Sequence, residues 1–298
     1  MDPITLGNIE ITAFNDWEGP FYPADQLFPA VSASQWEPYR QRFPETFADS
    51  TRAYSRFGVY LLRLGHTTML VDTGIGPEPS PVLQGDHGHL LAEHARQHLH
   101  PEEIDIVFLT HAHADHVGWN IAPNGRPTFP KARYIMSTSE WEAAHRPDAL
   151  ALFGPCIQQS VTPLKDLGVL ELITGEQAIT AECRTLPTPG HTSGHTSLLV
   201  SAGEQQILVG GDAFSTPAQI TENDWVIVND MQPEQATETR KWLAEKMHRE
   251  RIVSAWSHFP GTGIGHIVAQ SGHLYWQPLE AGTEMKRALP PESRVRSV

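Results

Sequence analysis

The segment that most constrains this chain is Thr110-His111-Ala112-His113-Ala114-Asp115-His116. Three imidazoles and a carboxylate follow directly on an apolar, strand-like run, Ile104-Asp105-Ile106-Val107-Phe108-Leu109. Imidazole and carboxylate are the donors that suit zinc and similar first-row metals. Side chains alternate with period two in extended backbone, so His111 and His113 point to the same side. The loop beyond can aim Asp115 and His116 at a second position nearby, so one segment can serve two metals. A chain of 298 residues with 16 histidines also contains close pairs by chance. His87/His89 and His98/His100 are such pairs, in a polar stretch read as solvated helix. The 111–116 segment stands apart by its spacing, its carboxylate and its place at a strand end.

Around it the apolar pattern alternates between strands and helices. Residues 8–14 read as a strand. Residues 16–55, rich in Trp, Phe, Tyr and Pro, read as a long excursion with helix near 32–43, serving as a lid or a dimer contact. Residues 59–64 and 67–72 flank Gly65-His66 as a hairpin, and 197–200 and 206–210 form a second one. Helices are expected at 89–98, from 139 to 145 and at 233–249, and strands at 132–137 and 252–256. Hairpins interleaved with helices predict sheets packed on each other with helices outside. No linker or low-complexity segment divides the chain, so residues 1–298 read as one domain.

Composition narrows the function. Lys plus Arg is 21 against 35 Asp plus Glu, a net charge of −14 with no basic run, which argues against nucleic-acid binding. No apolar stretch reaches the roughly 18 residues of a membrane span. The N-terminus lacks the basic and apolar regions of a signal peptide, so a cytoplasmic enzyme is expected. Cys156 and Cys183 give no disulfide framework and read as reduced thiols.

Further candidate ligands stand where strand-like segments end. They are His191 and His195 in Pro189-Gly190-His191-Thr192-Ser193-Gly194-His195, Asp212 after Gly210-Gly211, and His258 in Ser257-His258-Phe259-Pro260, and they follow Asp72 and the 111–116 segment in the chain. This ordered set resembles the metallo-β-lactamase superfamily from about residue 8 to 268. The resemblance implies an α/β (α+β) chain built as a four-layer αββα sandwich with metals at one edge of the two sheets. It implies that His111, His113 and His191 hold one metal and that Asp115, His116 and His258 hold a second. Asp212 would bridge them, Asp72 would orient a ligand histidine, and His195 would support the site without ligating.

Departures from other branches sharpen the expectation. The main dizinc β-lactamases have Cys where this chain has Asp212, and flavodiiron proteins have Glu where it has His113. The C-terminal segment from Ser257 to His266 resembles the methyl parathion hydrolase-like group, which lies close to the N-acyl-homoserine lactonases. Phe214 stands for a Tyr that lactonases place after the bridging Asp. Trp17, Phe21, Trp119, Trp141, Phe214 and Phe259 are pocket candidates by proximity to the motifs. The implied activity is hydrolysis of a small ester-type substrate, a lactone, aryl ester or phosphotriester. The implied nucleophile is a hydroxide shared by two divalent metals, with Asp115 relaying a proton. Zinc is the expected metal, with Mn, Co or Fe as alternatives, and a homodimer is expected from the relatives. An iron-dependent redox enzyme of the same fold and a thioesterase or glyoxalase II-like hydrolase are the competing readings.

Overall fold

The computed structural model describes residues 2–280 and 282–285. The first half supplies β1 (Ile4–Leu6), β2 (Ile9–Pro23), α1 (Ala24–Leu27), α2 (Ala33–Arg42), β3 (Arg52–Leu64), β4 (Thr67–Val71), α3 (Leu90–Arg96), β5 (Ile106–Phe108), α4 (Ala114–Val117), β6 (Arg133–Ser137), α5 (Thr138–Ala144), α6 (Pro147–Cys156), α7 (Thr162–Asp166) and β7 (Leu170–Ile173). The second supplies β8 (Cys183–Pro187), β9 (Thr196–Ala202), β10 (Gln205–Val209), α8 (Pro233–Glu250), β11 (Val253–Ala255), β12 (Ile264–Gln270), β13 (His273–Pro278) and β14 (Glu284–Met285). One sheet runs β14-β1-β2-β3-β4-β5-β6-β7 and the other β13-β12-β11-β10-β9-β8.

Alternation along each strand builds the layers. Leu62, Met69, Val71, Ile106 and Phe108 of the first sheet pack against Leu198, Val200, Ile207, Val209 and Val253 of the second. The neighbouring residues face outward. Leu61, Leu70 and Val107 meet Leu90 of α3 and Leu164 of α7. Leu199 and Leu208 meet Leu243 and Met247 of α8 and Trp36 of α2. The order is therefore helix, sheet, sheet, helix, as the resemblance implied.

The expected hairpins lie at β3–β4 and β9–β10, and the expected helices at α2, α3, α5 and α8. One boundary differs. The strand expected to stop at residue 14 continues to Pro23, and its partner β3 starts at Arg52, so the two ends of the aromatic excursion are sheet. The register of β2 against β3 shifts between Asn15 and Trp17. A bulge of this kind re-aims a side chain. Here it leaves Asp16 buried beneath the loop that follows β4.

Strands β4, β5 and β6 are parallel, as are β10 and β11, and β8 runs antiparallel to β9, which is antiparallel to β10. The C-terminal ends of β4, β5, β8, β10 and β11 lead straight into the segments that carry Asp72, His111 to His116, His191, Asp212 and His258. Among the described residues no helix is long and apolar enough to cross a membrane.

Candidate metal centre

Two groups of donor atoms gather at this edge. His111, His113 and His191 form one, and Asp115, His116, Asp212 and His258 the other, each with its donor atoms within 4.8 Å of one another. Asp212 lies between them. Its Oδ1 is 3.2 Å from His116 Nε2, and its Oδ2 is 3.0 Å from His258 Nε2 and 3.4 Å from His191 Nε2. Asp115 Oδ2 lies 3.5 Å from His258 Nε2 and 3.7 Å from His116 Nε2.

The outer hydrogen bonds assign the tautomers. Thr110 Oγ1 donates to Asp72 Oδ2 at 2.8 Å, so it accepts from His111 Nδ1 at 3.0 Å. His116 Nδ1 faces Asp72 Oδ2 at 2.8 Å, His191 Nδ1 faces Asp230 Oδ1 at 3.1 Å, and His258 Nδ1 faces the Arg56 carbonyl at 2.8 Å. Each of these oxygens can only accept. The inward Nε2 atoms of four histidines therefore carry lone pairs in the neutral rings. Yet His113 Nδ1 is 3.1 Å from His111 Nε2 and 2.9 Å from His191 Nε2, and one proton there cannot serve both. His258 Nε2 and Asp212 Oδ2 likewise face each other as two acceptors. Asp212 Oδ1 and His116 Nε2 are buried with no hydrogen-bond partner. Converging lone pairs of this kind fit cations, and imidazole with carboxylate is a zinc donor set. The residues present fit two divalent metal ions.

The two clusters differ in their electrostatics: burial would lower His116 and His258, but the acidic neighbours, Asp212 first, outweigh it and hold His116 well above and His258 above the usual imidazole range. Burial pushes His111 and His113 well below the usual imidazole range, toward the neutral ligand form. Burial would raise Asp212, but the His258 and His116 imidazoles outweigh it and hold the carboxyl well below the usual carboxylate range.

The supporting residues are also placed. Asp72 sits at φ 63° past the end of β4 and takes the Thr110 N–H at 2.8 Å besides its Thr110 hydroxyl and His116 contacts. His195 Nε2 accepts the backbone N–H of Asp212 at 3.1 Å, and its Nδ1 pairs with Thr188 Oγ1 at 2.8 Å. Both ring nitrogens are thereby used, which removes it from the donor set. A Cβ on Gly211 would lie 2.8 Å from His195 Nε2, at φ 55°, so glycine is needed there. Asp230 was not singled out from the sequence as a partner for His191. It pairs with His191 and also with Arg240 Nη1 at 3.0 Å, and all three are buried.

A cavity of about 460 Å³ opens on His113, Asp115, Asp212 and His258. Its walls include Phe21, Phe28, Trp36, Phe47, Phe57 and Phe153, and no Lys or Arg lines it among the described residues. Phe21 was an expected pocket residue; the other expected aromatics stand elsewhere. Trp119 is buried and donates to Asp16 Oδ1 at 2.8 Å. Phe214 and Phe259 are fully buried and pack on Trp256 beneath the second sheet. Trp141 stacks on His145, and Trp17 donates to Asp86 Oδ2 at 2.9 Å. Proximity in sequence to a ligand misplaced them, because the chain turns their side chains into the core or onto the surface. Phe153 was missed. It comes from α6 and packs on the His113 ring at 4.8 Å between centroids.

The family model described as the metallo-beta-lactamase superfamily matches residues 59–258. The chain belongs to the metallo-beta-lactamase superfamily. It is 25% identical over 217 residues to an N-acyl homoserine lactonase, AiiA, of Bacillus thuringiensis subsp. kurstaki, covering 67% of this chain and 79% of that one. It is 26% identical over 183 residues to the probable metallo-hydrolase YflN of Bacillus subtilis (strain 168), covering 54% of this chain and 62% of that one. Among solved structures it is similar to AidC, a dizinc quorum-quenching lactonase, at TM-score 0.81 and 20% identity over 93% of this chain and 97% of that one. It is also similar to the hydrolase AbOPH at TM-score 0.82 and 24% identity, over 94% and 97%. With a lactonase homologue and both donor clusters, this superfamily member is a metal-dependent hydrolase.

Proposed function

We propose that this superfamily member cleaves small, uncharged esters at a two-metal centre, with lactones first among them. The observation that carries this reading is the cavity. Its walls are largely aromatic and aliphatic, its charged lining residues are acidic, and it opens on both donor clusters. An anionic group would find no Lys or Arg on these walls among the described residues to match its charge, whereas an apolar acyl or aryl group gains by burial, by about 25 cal/mol per Å². Lactones come first because curated relatives carry lactonase names.

His111, His113 and His191 would hold one ion, and Asp115, His116 and His258 the other, with Asp212 shared. Bound there, divalent ions supply a water-derived nucleophile at neutral pH and polarise a carbonyl or phosphoryl oxygen. The protein does the rest. The walls from Phe21 to Phe57 and Phe153 exclude water and orient the ester. Asp115 lines the cavity, with a side chain 19% exposed, so it can pass a proton to the leaving oxygen. The acceptors behind His111, His116, His191 and His258 fix each ring with its lone pair inward.

The test is a hydrolysis panel of lactones, aryl esters, phosphotriesters, thioesters and β-lactams on zinc-loaded and chelator-treated protein. Metal-dependent turnover of lactones or aryl esters is expected, with little on charged thioesters. Turnover that survives complete metal removal would sink the proposal.

A further inference from the structure

Glu140 lies outside both donor clusters, yet its two carboxylate oxygens reach the two segments that carry the three-histidine cluster. It is 2% exposed. Oε1 accepts the N–H of Ala112, the residue between His111 and His113, at 2.9 Å. Oε2 accepts the hydroxyl of Thr192, the residue after His191, at 2.6 Å. Its backbone joins the same arrangement. Glu140 N–H donates to Ser137 Oγ at 3.0 Å, and Ser137 Oγ donates to the Gly194 carbonyl at 2.7 Å. A Cβ on Gly194 would overlap the Glu140 backbone nitrogen, so α5 and the 191–194 loop are in direct contact.

The two segments held this way come from different sheets. His111 and His113 follow β5 of the first, and His191 follows β8 of the second. A metal site tolerates only about 0.5 Å of misplacement. The gap between these segments is therefore a quantity that the protein must set.

We propose that Glu140 is a positioning residue that fixes the separation of the His111/His113 and His191 segments, and thereby tunes the three-histidine site for its ion, without touching ion or substrate. This inference rests on the two-metal reading of the centre. A buried carboxylate with one oxygen on each segment works as a spacer of fixed length, and its two hydrogen bonds are lost together when it is truncated. Glutamine can keep both, with Oε1 accepting from Ala112 and Nε2 donating to Thr192 Oγ1. A shorter or apolar side chain can keep neither.

The experiment is zinc titration of the metal-free protein against a chromophoric chelator, for wild type, Glu140→Ala, Glu140→Gln and Thr192→Val. Cobalt(II) absorption of each protein reports site geometry. Two zinc equivalents are expected for wild type. In Glu140→Ala one of the two should weaken by about 10–100-fold, the range for groups that orient a ligand, while the other is unchanged. Glu140→Gln should bind like wild type, and Thr192→Val, which removes one of the two contacts, should show a smaller loss at the same site. A merely structural role would lower the thermal midpoint of the metal-free variants and leave both zinc affinities alone. Glu140→Ala with both affinities unchanged, or Glu140→Gln as weak as Glu140→Ala, would overturn the inference. A wild type that takes up no zinc would instead overturn the metal-centre reading on which it stands.

Discussion

His191 Nδ1 lies 3.1 Å from Asp230 Oδ1, and the other oxygen of that carboxylate lies 3.0 Å from Arg240. Burial would raise the Asp230 carboxyl, but the His191 hydrogen bond and the Arg240 charge outweigh it and hold it below the usual carboxylate range. An ionised carboxylate behind a ligand imidazole raises its basicity and fixes its ring. Asp230→Asn should therefore cost about 10–100-fold in zinc affinity at one site, read by chelator competition. Unchanged affinity would show that Asp230 serves only to neutralise Arg240.

The two histidines of the 191–195 loop should separate cleanly in metal analysis. His191→Ala removes an inward lone pair and should reduce bound zinc from two equivalents to one. His195→Ala should keep two, because its nitrogens are taken by Asp212 N–H and Thr188. Its cost should instead appear as about 1–3 kcal/mol of stability for the unpaired Asp212 N–H. Loss of an equivalent in His195→Ala would contradict the tautomers assigned here.

Asp16 gives a pH signature of folding. Burial raises its carboxyl from 3.8 to about 6, against the lowering effect of the Trp119, Leu90, Ile75 and Gly76 hydrogen bonds. Between those values the folded protein holds more protons than the unfolded chain. The contribution of this residue is therefore full below 3.8 and declines as pH rises through about 6. The stability of wild type relative to Asp16→Asn, from urea unfolding, should fall by on the order of 3 kcal/mol between pH 4 and pH 7. A difference that stays flat with pH would refute this.

Val228 lines the cavity and is 58% exposed, so it can be changed without disturbing the core. Val228→Asp puts a charge at the mouth and should raise KM for apolar esters by about fivefold, near 1 kcal/mol, with kcat unchanged. Steady-state kinetics on the best panel substrate would decide it. An equal fall in kcat would place Val228 in the reacting geometry instead.

The legible parts of this chain were those with local periodicity. His111 to His116 carry their geometry in their spacing, and the strands and helices that place them alternate visibly. Asp16, Glu140 and Asp230 carry no such local mark. Each is a single acid whose partners stand 59, 52 and 39 positions away along the chain, so only the fold reveals them. The cavity wall failed for a related reason. Nearness to a ligand in sequence says little about direction, and Phe214 and Phe259 point into the second sheet's outer core while Phe28 and Phe47 reach the cavity from far away.

Each donor cluster draws from both sheets. The first takes His111 and His113 from the β5 end and His191 from the β8 end, and the second takes Asp115 and His116 with Asp212 and His258. Neither half of the polypeptide can therefore complete a cluster alone. Every bound ion acts as a weld across the seam of the sandwich, adding free energy to the docked state in proportion to the logarithm of metal concentration over its dissociation constant. The edge that performs the chemistry is thus also the clasp that keeps the halves together, and starving the protein of metal should loosen that seam before any other part of the molecule.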